Sequence, residues 1–393
     1  EKYAALVMNP PYMGSKHYEE LLNKYVNGNY KEGKSDLFSV FMQMGMERLV
    51  SNGKMAQINL QNWMFLSSFE KLRSSFLTHY NIDSMLHLGP RTFDELSGEV
   101  VQNTAFVLSK HEPVSQGSVY YRLVDGKNCA DKKQLFLSHI HGNEDGKRIY
   151  YPNVEQKNFE KIPGCPIGYW VSEKEQKQFI QGLLSKYAKP CKGIDTGENA
   201  YFLKLWFEVS SNEIDDSLGQ GKWIPYNKGG GFRRWYGFRE YVLKWNGSEE
   251  ELALRLSWTT KKPTLRNKNY WFKESFTWSS ISSDGFSARF SPKGALFDNG
   301  GSSVFSENNL YLIGGLINSK VANRYFEFLA PTLNFQPGNV GHIAYSEKLK
   351  DVIVQNIISA IVSENIIISK SDWDSHETSW DFQCNELLSL VGD

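Results

Sequence analysis

Apolar residues fall into two rhythms over the first 112 positions. Tyr3 to Met8 is a short apolar run ending at a pair of prolines, the pattern of a buried strand entering a turn. From Ser35 to Val50, Leu37, Phe38, Phe41, Met42, Met44 and Leu49 recur at helical spacing, and Asn52-Gly53 predicts the stop. Met55 to Leu60, Ile82 to Leu88 and Val100 to Leu108 read as strands and Phe69 to His79 as a helix. This alternation predicts an α/β fold with a doubly wound sheet.

The cadence fails after His111. Polar clusters such as Asp125-Gly126-Lys127-Asn128 and Gly142-Asn143-Glu144-Asp145-Gly146 predict a loop-rich linker region over 113–170. A helix near Ser172 to Ala188 follows, then an irregular Trp- and Gly-rich stretch to about Ser306 with more strand and loop than helix. Leu310 to Leu329 and Glu347 to Ser363 read as helical. The expected division is therefore an α/β segment at 1–112, the linker, a mixed α+β domain at 171–345 and a helical tail at 346–393.

Composition narrows the class. A chain of 393 residues, 40% hydrophobic and 22% charged, is expected to form two soluble domains. Cys129, Cys165, Cys191 and Cys384 make no C-x-x-C pair and predict neither a disulfide framework, nor a zinc cluster, nor any metal centre, which suits a reducing, cytoplasmic setting. No apolar run approaches the roughly 18 residues that span a bilayer, so no membrane partner is expected. Glu1-Lys2-Tyr3 lacks an initiator Met and a signal sequence, which reads as a truncated start.

Net charge is zero, but its distribution is uneven: Lys222 to Lys293 carries +8 and six of the 11 Trp. Lys228, Arg233, Arg234, Lys261, Lys262, Arg266 and Arg289 are interleaved there with Trp235, Tyr236, Trp258, Trp271 and Trp278. Cations for phosphates and rings for stacking predict a double-stranded DNA-binding surface. A solvated face around a Trp-rich core is the alternative.

The chemistry sits at Asn9-Pro10-Pro11-Tyr12. Two prolines hold φ and remove two N–H groups, so the loop after the strand is stiff. An exocyclic adenine amine is a poor nucleophile because its lone pair is delocalised into the ring. An Asn oxygen and the carbonyl of Pro10 can accept both amine hydrogens and localise that pair for in-line methyl transfer. Such a base must first leave the duplex, and Tyr12 offers a ring to stack on it.

Asn9-Pro10-Pro11-Tyr12 is identical to the catalytic motif of gamma-group DNA amino-methyltransferases, and the following 100 residues resemble that group's later motifs in order. Ser35-Asp36-Leu37-Phe38-Ser39-Val40-Phe41 is similar to the segment that contacts the adenine of S-adenosylmethionine, which implies a cofactor role for Asp36, Leu37 and Phe41. Asn52-Gly53-Lys54-Met55-Ala56-Gln57-Ile58 resembles the next turn and strand. Leu88-Gly89 followed by Phe93 resembles the stretch whose Phe packs on the flipped base.

Ile162-Pro163-Gly164-Cys165-Pro166-Ile167-Gly168-Tyr169-Trp170, Pro225-Tyr226-Asn227-Lys228-Gly229-Gly230, Arg233-Arg234-Trp235-Tyr236-Gly237, Phe286-Ser287-Ala288-Arg289 and Thr332-Leu333-Asn334-Phe335-Gln336 are similar to PglX-type methyltransferases of BREX phage-defence systems. The resemblance implies self-marking of host DNA at adenine alongside partner defence proteins. Leu316-Ile317-Asn318-Ser319-Lys320 and Asn334 to Ile343 resemble the end of target-recognition domains.

The family places a Gly-rich cofactor loop before Asn-Pro-Pro-Tyr, and only eight residues precede the motif here. Phe297-Asp298-Asn299-Gly300-Gly301-Ser302 is the candidate for a permuted loop, but no helix is expected directly after it, so a fragment is the preferred reading. Glu32-Gly33-Lys34 matches the tail of an acidic nuclease motif without a partner acid. The expectation is thus the C-terminal part of a Rossmann-like methyltransferase sheet, a target-recognition domain and a helical tail. A DNA-binding specificity module inactive as built, or a fragment of a bifunctional restriction-modification enzyme, are the alternatives.

Overall fold

A computed structural model describes all residues except 94–100, 116, 142–147, 216–218, 256–263, 386–387 and 389–393. The chain divides into two compact units, Glu1–Lys177 and Gln178–Asp393.

In the first unit, β1 (Tyr3–Met8) is followed by α1 (Glu20–Asn29), α2 (Leu37–Arg48), β2 (Leu49–Leu60), α3 (Glu70–His79), β3 (Asn81–Gly89), β4 (Asn103–Ser109), β5 (Val119–Arg122), α4 (Cys129–Ile140) and β6 (Tyr150–Tyr151). The six strands form one sheet in the order β1-β2-β4-β3-β5-β6. β1 and β2 pair in parallel, as do β3 and β5, while β4 lies antiparallel between β2 and β3. The start of β4 therefore shares the sheet edge at which β1, β2 and β3 end, the edge that carries ligand sites in open α/β sheets. Phe38, Met42, Met46, Met55, Trp63, Leu72, Met85 and Leu108 fill the core beside it.

The α/β reading of the first 112 residues holds, with two changes of detail: α1 was not among the expected elements, and the stop after α2 differs. Asn52-Gly53 does not stop a helix. The strand begins at Leu49 and runs through both residues, Asn52 taking a positive φ of 61°.

The linker at 113–170 is corrected. β5, α4 and β6 extend the same sheet, and Tyr120, Phe159, Ile167 and Tyr169 are buried in its core. Arg73, buried on α3, donates to the carbonyls of Trp63, Leu66, Gly164 and Cys165, and burial lowers its pKa to about 10. Gln156 receives the N–H of Ile82 and donates to the carbonyls of Leu77 and Tyr80. Segments rich in polar turn residues thus complete the first unit, because their few apolar residues are the ones the core takes.

A helix, α5 (Glu173–Gln181), spans the boundary between the units. The second unit continues with β7 (Lys189–Cys191), α6 (Asn199–Phe202), β8 (Leu203–Leu205), β9 (Trp223–Asn227), β10 (Tyr241–Lys244), α7 (Glu250–Arg255), β11 (Ser275–Trp278), β12 (Ala288–Ser291), β13 (Leu296–Phe297) and β14 (Ser303–Phe305). Its strands form two four-stranded sheets, β13-β9-β10-β8 and β12-β11-β14-β7. Then come α8 (Leu310–Ile317), α9 (Lys320–Leu329), α10 (Pro337–Gly341) and α11 (Val352–Asp374). The helix expected from Leu310 to Leu329 is broken at Asn318, whose side chain bonds both backbone groups of Ala288 on β12, while Ser319 caps α9. Gly314 lets α8 lie against the Phe276 ring, where a Cβ would come within 2.2 Å.

One helix is longer and more apolar than the sequence reading expected. α11 is long and apolar enough to cross a membrane by length and composition, with a mean hydropathy of 1.6 over 18 residues. Here it packs through Val362, Ile366 and Trp373, with Ile358 and Val362 against Gly315 of α8.

Candidate functional site

The first unit builds its site at the end of an edge strand. β1 carries the chain into Asn9, which is exposed, Pro10, which is buried, Pro11, which is exposed, and Tyr12, which is half-buried. The exit of this tetrapeptide is stitched to the start of α2. Met13 N donates to Asp36 Oδ1 at 3.0 Å, Leu37 N donates to Met13 O at 2.9 Å, and Ser15 N donates to Ser35 O at 3.0 Å.

Asp36 also caps α2, accepting from Phe38 N. Burial raises its pKa, and the N–H groups of Met13, Phe38 and Leu37 oppose that rise. The carboxylate is therefore engaged in holding the motif loop. Leu37 is half-buried against the small cluster of Val26, Tyr30 and Val40, and Phe41 is half-buried on α2. Each keeps part of an apolar face open.

Tyr12 is held at two points. Its ring meets Phe38 edge-on at 6.2 Å and 87°, and its hydroxyl accepts from Asn103 Nδ2 at 3.0 Å. Its pKa is raised by burial, against the lowering effect of the Asn103 hydrogen bond, with the Asp36 charge adding to the rise. Phe93 is half-buried four residues beyond the end of β3.

The sequence reading missed a polar seam in this sheet. Gln57 and Asn59 are buried on β2, Gln61 is buried just past its end, and Asn103 and His87 are buried on β4 and β3. Gln57 donates to Phe38 O at 3.2 Å, and Asn103 donates also to Asn59 O at 3.3 Å. His87 Nε2–H donates to Gln61 Oε1 at 2.7 Å while Nδ1 accepts from the Tyr169 hydroxyl at 3.0 Å, a neutral ring stacked on Trp170. Burial, then the charges of Arg122 and Lys132, lower the His87 pKa to about 3. The available signal was the alternation of amides at 57, 59 and 61 along an apolar strand and just past its end, since buried amides require assigned partners.

Among the described cations of the basic window, Arg289 is buried, Lys228, Arg233, Arg234, Arg239 and Lys244 are half-buried, and Lys222, Arg266, Lys268, Lys273 and Lys293 are exposed. Arg289 is 1% exposed on β12, with Nη1 donating to Gly231 O at 3.2 Å and its guanidinium over the Phe238 ring; burial lowers its pKa to about 10. Arg233 bonds Tyr236 O, Ser369 O and Asp372, and lies over Trp373 of α11. Lys228 pairs with the buried Asp298 at 2.7 Å. Arg234 lies over Phe232 and lines a cavity with Ser282, Asp284, Asn323 and Glu327. Arg266 is exposed, with Nη1 at 3.4 Å from Asn299. Lys261, Lys262 and Trp258 lie outside the described residues.

Tyr236, Trp271 and Trp278 are buried, and Trp235 is half-buried. The rings counted towards a stacking surface thus belong mainly to the core. The permuted-loop candidate is a turn between β13 and β14: Gly300 N donates to Asp298, and Gly301 sits where a Cβ would meet Asn227 O at 2.2 Å.

Residues 1–93, which hold the motif and most of its sheet, match the family described as Eco57I restriction-modification methylase. Over its whole length the chain is 40% identical to the adenine-specific methyltransferase BrxX of Escherichia coli O9:H4 (strain HS), of which it covers 31%. It is 39% identical to the adenine-specific methyltransferase PglX of Lacticaseibacillus casei (strain Zhang), of which it covers 33%. The chain thus spans about a third of these relatives, and the resemblance read from its sequence to PglX-type adenine methyltransferases is borne out. Among solved structures, the Type IIL restriction-modification enzyme MmeI, determined in complex with DNA, shares the fold: TM-score 0.56 and 13% identity, over 98% of this chain and 52% of that one.

Proposed function

We propose that this chain is the base-pocket and DNA-reading part of a site-specific DNA adenine-N6 methyltransferase. The observation that carries the reading is Asn9-Pro10-Pro11-Tyr12 at the end of β1, with Asn9 exposed and the loop behind it locked by Asp36. The Asn9 side-chain oxygen and the Pro10 carbonyl accept the two hydrogens of the adenine amine. Tyr12 and Phe93 stack on the flipped base, compensating for the partners it leaves in the duplex. Fixing both hydrogens before reaction removes the reorganisation that a flexible loop would require.

S-adenosylmethionine supplies the electrophilic methyl. Leu37 and Phe41, half-buried and partly open, suit the wall against its adenine, whereas Asp36 acts on the motif loop. The principal cofactor loop belongs to sequence beyond these 393 residues. In support, β1 has a strand partner on one side only among the described residues, and Val7 on it is 84% exposed. An apolar edge of that kind suits a sheet continued by further strands.

In the second unit, DNA contact is assigned to the exposed Arg266 and the half-buried Arg234, and to Lys261 and Lys262 on the sequence pattern alone. Adenine marking of host DNA in the cytoplasm, with partner proteins acting on unmarked phage DNA, follows from the family resemblance. The test is nucleoside mass spectrometry of duplex DNA treated with the full-length protein and S-adenosylmethionine. N6-methyladenine that disappears with Asn9→Ala supports the reading; its undiminished formation by that variant overturns it.

A further inference from the structure

We infer that Asn103 is a positioning residue that holds Tyr12 in the orientation needed to stack on a flipped base; this rests on the adenine-methyltransferase reading above. Topology supplies the first reason. Because β4 runs antiparallel between β2 and β3, its first residue lies beside the last residue of β2, in register with Leu60, at the edge where the motif emerges. Asn103 therefore stands behind Tyr12 although 91 positions separate them in sequence.

The second reason is chemical. Asn103 is completely buried, and asparagine is a poor strand residue. Its Nδ2 donates to Tyr12 Oη at 3.0 Å and to Asn59 O at 3.3 Å, while its Oδ1 has no partner. A buried amide with an unpaired oxygen is a poor choice for holding a sheet together, where an aliphatic side chain would serve better. What the amide does supply is a donor to the phenol. Tyr12 is otherwise held by apolar packing, edge-on against Phe38 and against the core cluster, and apolar packing is non-directional, so it does not fix where the hydroxyl end points. The tether at Oη fixes that direction. It also occupies the oxygen as an acceptor, so the phenolic hydrogen is directed away from Asn103. A side chain locked at both ends loses no further rotamer freedom when the base arrives.

The test is a double-mutant cycle in the full-length protein, with S-adenosylmethionine and unmodified phage genomic DNA as substrate. Tyr12→Phe keeps the ring and removes the accepting oxygen; Asn103→Ala removes the donor. Each is expected to lower kcat about tenfold with KM for DNA within about twofold, and the double variant to fall no further than the worse single one, because all three lose the same bond. Independent, multiplying losses overturn the inference, as does full kcat in Asn103→Ala. If Asn103→Ala does not fold, Tyr12→Phe decides alone: a melting temperature like the parent's with reduced kcat supports the tether, and unchanged kcat overturns it. Asn9→Ala separates the two levels. If that variant is inactive while Tyr12→Phe is fully active, only the positioning role fails; if Asn9→Ala is fully active, the underlying reading fails.

Discussion

The motif loop of the first unit and the basic window of the second were both read as contact surfaces, and they differ in where their functional groups point. Asn9 and Pro11 face solvent, and the groups that hold the loop, Asp36 and Asn103, lie behind it. In the window, Arg289 is buried, Arg233 clamps α11 and Lys228 is paired with Asp298. A contiguous motif with two prolines restricts its own geometry. A compositional surplus of cations and rings does not, because an Arg over an aromatic ring stabilises a core as readily as it meets a phosphate.

That contrast can be broken by substitution. Asn9→Ala is expected to lower the methylation rate of the full-length protein by about 100- to 1000-fold with an unchanged melting temperature, the scale of losing one preorganised acceptor. Arg289→Ala should do the reverse, costing about 3 kcal/mol in chemical denaturation while leaving the salt dependence of DNA binding as it was. A lowered salt slope without destabilisation would return Arg289 to the DNA face.

The polar seam gives a third, smaller effect with a definite sign. His87 is buried neutral with a pKa near 3, below its ordinary 6.5. Between those values the unfolded chain binds a proton that the folded one refuses, so stability falls as pH drops through 6.5 and the loss saturates near 3. From pH 7 to pH 5 this amounts to about 2 kcal/mol. Urea denaturation of His87→Gln at both pH values should show that increment removed from the difference. Smallest of all, Arg266→Ala should reduce the slope of log K against log salt by about 1, whereas Arg233→Ala should leave it unchanged and destabilise α11.

Of the first 110 residues, the strands and the helices α2 and α3 were legible because their periodicities are long and their caps local, Asp36 at the start of α2 among them, whereas α1 was not anticipated. The segment at 113–170 was not, since β5 and β6 are only four and two residues long and form on a template that the rest of the sheet provides. Strands that short carry little periodic signal of their own. α11 was underestimated for a different reason: its isoleucines are interrupted by Ser, Asn and Glu, yet over 18 residues the mean remains apolar.

By itself the sequence carried the chemistry proposed for the chain, since Asn9-Pro10-Pro11-Tyr12 has its stiffness and its acceptors within four consecutive residues. It determined as well that cations and tryptophans concentrate between Lys222 and Lys293. Only the tertiary structure decided which of those cations face outward and which residue stands behind Tyr12. Both depend on strand order: the direction of β4 brings Asn103 to the motif, and the pairing of β11 with β12 sets Arg289 opposite Thr277 in a buried sheet. Strand order is a long-range choice, settled by how whole faces bury against one another, and no local run of residues records it.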